Sequence, residues 1–471
     1  MRYPGLTRLA EKGAAIHLMG IGGAGMAGLA RVLQTRGAQV SGCDRESSET
    51  TRELEKSGIA VMLGHAADHC DKCAALVHTA AVPHAHPELQ AARAKGVPVL
   101  KRSGALAEVV SAGDLVAVSG THGKTTTTAL TAMALEAAGR DPTALVGGRV
   151  AAWRGNARIG RSDLYVVEAD EYDRSFLALW PKIAVVTSVE TDHFETYTTL
   201  ADLEAAFDEF VDRVPASGRV IACVDDMGAR RRLSKAGSRG LSYGLGRDAE
   251  LRAVTVGYGS GTTRFSAEWR GDSLGDFQLG LRGHHNVRNA LAVLGVLLAL
   301  DLDPREAAPA LADFVGVERR FQVIGEAGGV TVIDDYAHHP TEVAATLETA
   351  RRTYSGRRLV VAFQPHLYSR TEAFAREFGR ALAFANVVWV TAIYPAREEP
   401  IPGVTAELVA EAARDEMDAD AVHLVGDLAE LQTAVKNELR AGDVFMTLGA
   451  GDVFQVARDL AAELERSHVD A

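Results

Sequence analysis

Residues 116–139, VAVSGTHGKTTTTALTAMALEAAG, decide the fold of this chain. An apolar strand runs into a loop that holds Gly120 and Gly123, and the loop runs straight into a segment rich in Ala, Leu and Met. Strand, glycine loop and helix make the architecture of a phosphate loop. Glycines let the backbone curl until its N–H groups face an anion, and the helix N-terminus adds a favourable dipole. Lys124 can then reach the β and γ phosphates of a nucleotide, and Thr125 offers its hydroxyl to Mg²⁺. Val118 stands where the full GxxxxGK pattern puts its first glycine, so the loop is the shorter GTHGKT of residues 120–125. The rival reading is a plain turn that happens to contain Lys-Thr. Two glycines, the lysine and four consecutive threonines between the right flanking elements weigh against it. Phosphate binding alone fits kinases, hydrolases, ligases and non-catalytic nucleotide switches.

On both sides of this segment the chain alternates apolar strands with amphipathic helices. Before it come AIHLMG (15–20), a helix over 24–36, QVSGCD (39–44), AALVHTAA (74–81) and PVLKR (98–102), a doubly wound α/β pattern. Around and after it come DLVAVSG, LYVVEAD, IAVVTSV, a helical stretch over 200–214 and RVIACVDD. Residues 251–281, rich in Gly, Ser and Thr with alternating apolar positions, predict short antiparallel strands, and a helix over 286–300 follows. A third block repeats strand and helix from GVTVIDD (329–335) through DVFMTLGAG (443–451), with a last helix to about residue 465. The pattern predicts an α/β protein of three domains. These are an N-terminal Rossmann-like doubly wound domain (1–110), a central phosphate-loop ATPase domain with a small antiparallel sheet (111–318) and a C-terminal Rossmann-like domain (319–471).

The chain's 471 residues, 47% hydrophobic and 24% charged, suit a globular protein. Its 62 acidic against 50 basic residues, a net charge of -12, argue against a general electrostatic grip on nucleic acid or an anionic membrane. An anionic substrate must therefore be held by local donors. The first residues lack the apolar run of a signal peptide, and no stretch approaches the roughly 20 apolar residues of a membrane span, so a cytoplasmic protein is expected. Four cysteines are too few for a disulfide framework and fit a reducing compartment. Cys70 and Cys73 form a CxxC preceded by His65 and His69, but a zinc or redox reading needs more partners than that pair supplies.

Seven segments occur in one order: GTHGKTTTT (120–128), EADEYDRSFL (168–177), TDHFETY (191–197), GHHNVRNA (283–290), GVERRFQ (316–322), DDYAHHPTE (334–342) and FQPHLYSRT (363–371). Together they resemble the Mur ligases, over roughly residues 16–455, and within that family the branch that adds L-alanine to UDP-N-acetylmuramate. The resemblance implies an N-terminal domain for the UDP-sugar, a central ATPase domain and a C-terminal domain that closes over the site with the amino acid. It implies ATP and Mg²⁺ as cofactors, UDP-N-acetylmuramate, L-alanine and ATP as partners, and a monomer or weak homodimer. In the implied reaction a carboxylate attacks the γ-phosphate of ATP, and an amine then displaces phosphate from the acyl phosphate.

Residue by residue, the resemblance puts ATP on Gly120, Thr121, His122, Gly123, Lys124, Thr125 and Thr126, with His285 and Asn286 near adenine and Asn289 beside them. An asparagine at a helix start is also a common N-cap. Arg320 resembles the arginine delivered to the γ-phosphate, where the rival role is an interdomain ion pair, and Asp335 resembles the residue that holds the ATP ribose. Glu168, ending the strand LYVVEAD, becomes a Mg²⁺ ligand beside Thr125; its rival role is capping the next helix. His193 becomes a ligand of a second Mg²⁺, although a lone histidine is usually structural. Asp170, Glu171 and Asp173 crowd the same segment and receive no individual role. The implied catalytic set is Lys124, Glu168, His193 and Arg320.

Gly20, Gly22, Gly23 and Gly25, opening a helix after the first strand, with Asp44 ending the next strand, read from the residues as a dinucleotide site, with NAD a fair rival. The resemblance replaces NAD with the diphosphate of a UDP-sugar. Tyr336, His338, His339 and Arg370 resemble the amino-acid and muramoyl contacts, and Arg370 can pair with a carboxylate through two parallel hydrogen bonds. Two departures from the family pattern stand out. No lysine lies between Lys182 and Lys235 to be carbamylated as in several sister ligases, which fits the alanine-adding branch, and Leu367 stands where many members carry an arginine. Adding a recycled tripeptide to the same sugar, or binding ATP as a regulator without turnover, are the alternatives.

Overall fold

The computed structural model describes residues 5–259 and 261–469. They form two compact units. One takes the residues up to Val256 with Phe265–Leu279 and Val287–Phe314; the other takes Gly257–Arg264, Gly280–Asn286 and the residues from Val315 onward. Three sheets carry the α/β architecture expected from the sequence.

The first sheet has five parallel strands, β1 (Ala15–Met19), β2 (Gln39–Asp44), β3 (Ala60–Leu63), β4 (Ala75–His78) and β5 (Val99–Lys101), in the order β3-β2-β1-β4-β5. Strands covered on both faces carry apolar side chains almost throughout; the exceptions in β1 and β4 are His17 and His78, both buried. The strand order reverses between β1 and β4, and at such a switch point the carboxyl ends leave a crevice for a ligand. The Gly20–Gly25 glycines lie there, entering the helix Ala24–Thr35.

The second sheet holds β6 (Asp114–Ser119), β7 (Thr143–Val150), β8 (Gly155–Arg158), β9 (Leu164–Glu168), β10 (Ile183–Val186), β11 (Arg219–Cys223), β12 (Gly240–Gly244), β13 (Leu251–Tyr258), β14 (Thr263–Trp269) and β15 (Asp272–Leu279). Their order is β15-β14-β13-β12-β11-β10-β6-β9-β7-β8. β6 lies between β9 and β10, parallel to both, with Val118 opposite Glu168 and Ser119 opposite Val186. That register brings the end of β9 beside the start of the phosphate loop. β14 and β15 are joined by Arg270 and Gly271, both at positive φ (51° and 93°), the two-residue turn of an antiparallel hairpin.

β7 and β8 escape the sequence pattern, because they are short, glycine-bearing and partly polar. What stabilises them is tertiary. The helix Ala24–Thr35 packs on both, Asn156 of β8 donates to the carbonyls of Ala24 and Val146, and Arg149 makes a bidentate pair with Glu53 at 2.9 and 3.0 Å. The first two sheets therefore share one compact unit.

In the second unit, β16 (Gln322–Ala327), β17 (Val330–Asp335), β18 (Leu359–Phe363), β19 (Val387–Val390), β20 (Val422–Leu424) and β21 (Val444–Leu448) run in the order β16-β17-β21-β18-β19-β20. All neighbours are parallel except β16 and β17, a hairpin turned by Gly328 and Gly329 at φ 61° and 77°. Separate apolar clusters cover the two faces of this sheet.

Three local expectations need correction. The helix expected from Asn286 begins at His284, so Asn286 sits inside the first turn and its side chain donates to Arg282 O rather than capping. The last helix runs to Val469, beyond the expected end. Cys70 and Cys73, expected as thiols, are joined in a disulfide; the turn between them holds their Cα atoms 4.9 Å apart, inside the disulfide range.

Candidate active site

The phosphate loop is built by backbone that only glycine adopts easily. Gly120 (φ 131°) and Gly123 (φ 79°) lie on the left-handed side. A methyl group at Gly120 would collide with Thr187 Oγ1, and one at Gly123 would stand 2.6 Å from Asn289 Oδ1. The segment after β10 braces the loop. Thr121 Oγ1 accepts from Glu190 N at 2.9 Å, His122 N donates to Ser188 Oγ at 3.1 Å, and Thr187 Oγ1 donates to His122 O at 2.5 Å. Lys124 then opens the helix Lys124–Ala137, and the threonines that follow it are buried. Thr128 satisfies its hydroxyl on Lys124 O at 2.8 Å, which lets a β-branched run stay helical.

Lys124 Nζ donates to Gly120 O (2.7 Å), Thr121 O (3.2 Å) and Glu171 Oε1 (2.9 Å). Burial works against its charge, but Glu171, Asp170 and Glu168 hold the ammonium above its usual range. Glu171 is buried, which by itself raises its carboxyl, yet Lys124 and His193 keep it below the ordinary value. Glu168 accepts from Thr125 Oγ1 at 2.9 Å and from Gly147 N at 2.5 Å, and burial pushes its carboxyl up. His193 sits at φ 56°, unfavourable for a residue with a side chain. Asp192 Oδ1 accepts its N–H at 2.8 Å, and the strained turn presents Nε2 to Glu171 Oε1 at 3.3 Å. Burial lowers the imidazole, but Glu171 and Asp192 raise it above the ordinary value. Tyr197 donates to Glu171 O at 2.7 Å, tying the two motifs together.

These residues suit a divalent cation. Ligand atoms of Asp170, Glu171 and His193 lie within 4.8 Å of one another, and His193 Nδ1 is buried without a hydrogen-bond partner among the described residues. With the hydroxyl of Thr125 and the carboxylate of Glu168 nearby, the donors are mostly oxygen, as Mg²⁺ prefers. Glu171 is the residue that the sequence left without a role. Its signal was present, a carboxylate three residues after Glu168, but nothing local distinguishes it from Asp170 or Asp173.

In the first sheet, Gly20 takes φ 78° and Gly22 N donates to Asp44 Oδ2 at 2.8 Å. The other oxygen of Asp44 accepts Arg45 N at 2.8 Å, so Asp44 shapes the glycine loop directly. A methyl group at Gly25 would stand 2.7 Å from Arg102 Nη1. Arg102, which begins the helix Arg102–Val110, thus puts a guanidinium at the loop from 77 residues away in sequence, beyond any local motif.

The second unit assembles its own cluster. Arg319 and Arg320 lie over the Tyr336 ring at 4.9 and 5.3 Å, and Arg320 pairs with Glu342 at 3.3 Å. Asp335 is buried, accepts from Phe321 N and Ala337 N at 2.7 Å each, and is pushed up to about 6 by burial. His338 Nδ1 lies 2.9 Å from Tyr336 O, and His339 caps the helix Pro340–Thr353, accepting from Thr341 N. Arg370 is buried with Nη1 3.2 Å from His366 Nδ1, and His366 stacks on Tyr394. Leu367 sits at φ 68° ahead of the helix Tyr368–Leu382 and is buried. His285 and Asn286 hydrogen-bond to each other at 3.0 Å in this unit, whereas Asn289 belongs to the first, against Gly123.

A strand, glycine loop and helix ringed by a largely buried lysine, three carboxylates and a histidine define a nucleotide-handling α/β enzyme with three sheets. Models of the Mur ligase family match the chain along its length: the catalytic domain at residues 15–113, the middle domain at 118–297 and the glutamate ligase domain at 319–451. The chain belongs to the Mur ligase family. It is 45% identical over 443 residues to the UDP-N-acetylmuramate–L-alanine ligase of Oleidesulfovibrio alaskensis, covering 94% of this chain and 97% of that protein. With the enzyme of the same name from Myxococcus xanthus it shares 44% over 447 residues, 95% of this chain and 94% of the other. The crystal structure of UDP-N-acetylmuramate–alanine ligase from Thermotoga maritima superposes with a TM-score of 0.82 at 28% identity, over 96% of this chain and all of that one. A murein peptide ligase from Psychrobacter arcticus shares the fold, with a TM-score of 0.70 at 22% identity.

Proposed function

We propose that this chain forms the amide between the lactyl carboxylate of UDP-N-acetylmuramate and the amine of L-alanine, with ATP cleaved to ADP and phosphate, during peptidoglycan synthesis. Near-full-length identity to L-alanine ligases carries this reading, and the phosphate-loop cluster supplies chemistry that suits it. Amide formation from a free carboxylate is uphill in water. A carboxylate oxygen therefore attacks the γ-phosphorus, ADP leaves, and the amine, having lost its proton, attacks the acyl carbon and expels phosphate.

Backbone N–H groups of residues 120–126 and the Lys124 ammonium would hold the ATP phosphates and neutralise charge as it shifts to the leaving ADP. Thr125, Glu168 and His193, with Asp170 and Glu171, would hold Mg²⁺, which when bound screens the repulsion between the attacking carboxylate and the triphosphate. Glu171 and the loop carbonyls keep Lys124 oriented. Gly20, Gly22, Gly23 and Gly25 with Arg102 would receive the UDP diphosphate, Asp44 shaping the loop. In the second unit Arg370 would receive the alanine carboxylate, with Tyr336, His338 and His339 as further contacts of the amino acid or the muramoyl group. Among the described residues no helix is long and apolar enough to cross a membrane, and the nucleotide substrates make the cytoplasm the expected compartment.

Phosphate release from Mg-ATP and UDP-N-acetylmuramate tests the reading with no amine, with L-alanine, or with L-Ala-D-Glu-meso-diaminopimelate. Release that depends on L-alanine is expected. Dependence on the tripeptide would move the chain to the other branch, and no release with either amine would reject the ligase reading.

A further inference from the structure

Inside the first sheet, away from the phosphate loop, a second set of ligand-type side chains converges. His17 of β1, Cys43 of β2, His69 of the turn before β4 and Glu88 of the helix Pro87–Ala94 bring ligand atoms within 4.8 Å of one another. His17, Cys43 and Glu88 are buried, and the side chain of Glu88 is wholly so. Glu88 Oε1 lies 3.1 Å from His17 Nε2, 3.6 Å from His69 Nδ1 and 3.5 Å from Cys43 Sγ. In a tetrahedral site with bonds of about 2.0 Å to nitrogen or oxygen and about 2.3 Å to sulfur, neighbouring ligand atoms stand about 3.3–3.6 Å apart. The three spacings from Glu88 Oε1, 3.1, 3.6 and 3.5 Å, are close to that, and the remaining ones lie within 4.8 Å.

Two features point to a ligand rather than to a closed hydrogen-bond network. Among the described residues, His17 Nε2 and His69 Nδ1 are buried with no well-aligned hydrogen-bond partner, each facing Glu88 at ion-pair distance instead. Glu88 has no lysine or arginine within that distance among the described residues; its neighbours there are His17, His65 and His69. A buried carboxylate needs a compensating charge. Ser41 Oγ, 3.0 Å from His17 Nδ1, can accept a hydrogen bond from Nδ1–H and leave the Nε2 lone pair turned inward, the outer support usual for a metal-bound histidine. His65 Nδ1 lies 3.1 Å from Cys43 Sγ and 3.6 Å from Glu88 Oε2, at the edge of the same cluster.

We propose that His17, Cys43, His69 and Glu88 form an internal tetrahedral site for a thiophilic divalent cation of the zinc class. Two nitrogens, one sulfur and one oxygen suit such an ion, whereas Mg²⁺ takes oxygen donors. Cys43 enters as the thiolate, releasing its proton to solvent. Cys70 and Cys73, paired with each other, stay outside the ligand set. The site lies beneath the glycine loop, since Cys43 O accepts from Gly20 N (2.8 Å) and Ile21 N (3.1 Å). The ion would join β1, β2 and the helix Pro87–Ala94 behind that loop.

The full chain, stripped with a chelator and held in excess Mg²⁺ to occupy oxygen sites, is titrated with Co²⁺ and then Zn²⁺. One equivalent of Co²⁺ should produce a thiolate-to-cobalt charge-transfer band with the intense visible absorption of tetrahedral cobalt, and Zn²⁺ should bleach both. The band should vanish in Cys43→Ser and persist in the double variant Cys70→Ser/Cys73→Ser. His69→Gln, at the rim of the cluster, should weaken Co²⁺ binding more than about tenfold. Circular dichroism checks that each variant is folded. No band in the wild type, a band that survives Cys43→Ser, or one lost with Cys70 and Cys73 would overturn the assignment.

Discussion

Lys124 and Glu171 are the pair on which the phosphate loop depends: Glu171 is buried and Lys124 largely so, and each helps to keep the other charged. Replacing Lys124 by alanine removes the cation proposed to meet the phosphates, and turnover should fall by about 10³ or more. Binding of UDP-N-acetylmuramate, measured by calorimetry, should survive, because the loop proposed for it grows from β1 and not from β6; loss of both would refute the division of ligands between the two sheets. Gly123→Ala asks for a methyl group at φ 79° and 2.6 Å from Asn289 Oδ1. The backbone cost is about 1–2 kcal/mol, and the KM for ATP should rise about tenfold with UDP-sugar affinity unchanged. Steady-state kinetics with ATP as the varied substrate decides it. Gly120, Gly123, Lys124 and Thr125 were legible in sequence because chemistry and conformation coincide in one short segment. Glu171 and Arg102 were not, because a carboxylate or a guanidinium carries no mark of what it will face after folding.

Strands and helices with strong periodicity were equally readable: β10 and β18 are unbroken apolar runs and β6, β9 and β21 nearly so, as strands buried on both faces tend to be, while β17 is apolar until it ends on Asp334 and Asp335 except for Thr331. β7 and β8 were invisible, since their stability comes from the helix Ala24–Thr35 and from Asn156 and Arg149. A comparable polar clamp joins the starts of β18 and β21. Arg358 grips Asp443 with Nε and Nη2 at 3.0 and 2.7 Å and reaches Glu438 as well. Burial raises the Asp443 carboxyl, but Arg358 holds it below its ordinary value of 3.8. A depressed carboxyl contributes stability above its unfolded value and loses it as pH falls through the folded one. Asp443→Asn should therefore cost about 2 kcal/mol at pH 7, and the gap from wild type should close as the pH drops below 3.8. Denaturant unfolding at neutral and acid pH reads this directly; a gap that persists in acid would mean that packing, not charge, is lost.

Taken whole, the molecule divides its candidate chemistry between two compact units, the phosphate loop and the loop proposed for the UDP-sugar in one and the Arg370 cluster proposed for the amino acid in the other. Arg370→Ala should raise the KM for L-alanine about 10–100-fold, the loss of a bidentate carboxylate pair, while the KM for ATP stays within about twofold. Equal rises in both would mean that Arg370 serves the architecture and not the amino acid. Family membership, the three α/β blocks and the phosphate loop followed from sequence alone, because each rests on local patterns: apolar periodicity, glycine where the chain must turn, lysine and threonine at a helix start. The grouping of the first two sheets into one unit, the Lys124–Glu171–His193 chain of contacts, the approach of Arg102 to the glycine loop and the convergence of His17, Cys43, His69 and Glu88 were decided only by tertiary structure. Each joins side chains far apart in sequence, and their proximity is set by strand order and register, which no local pattern encodes.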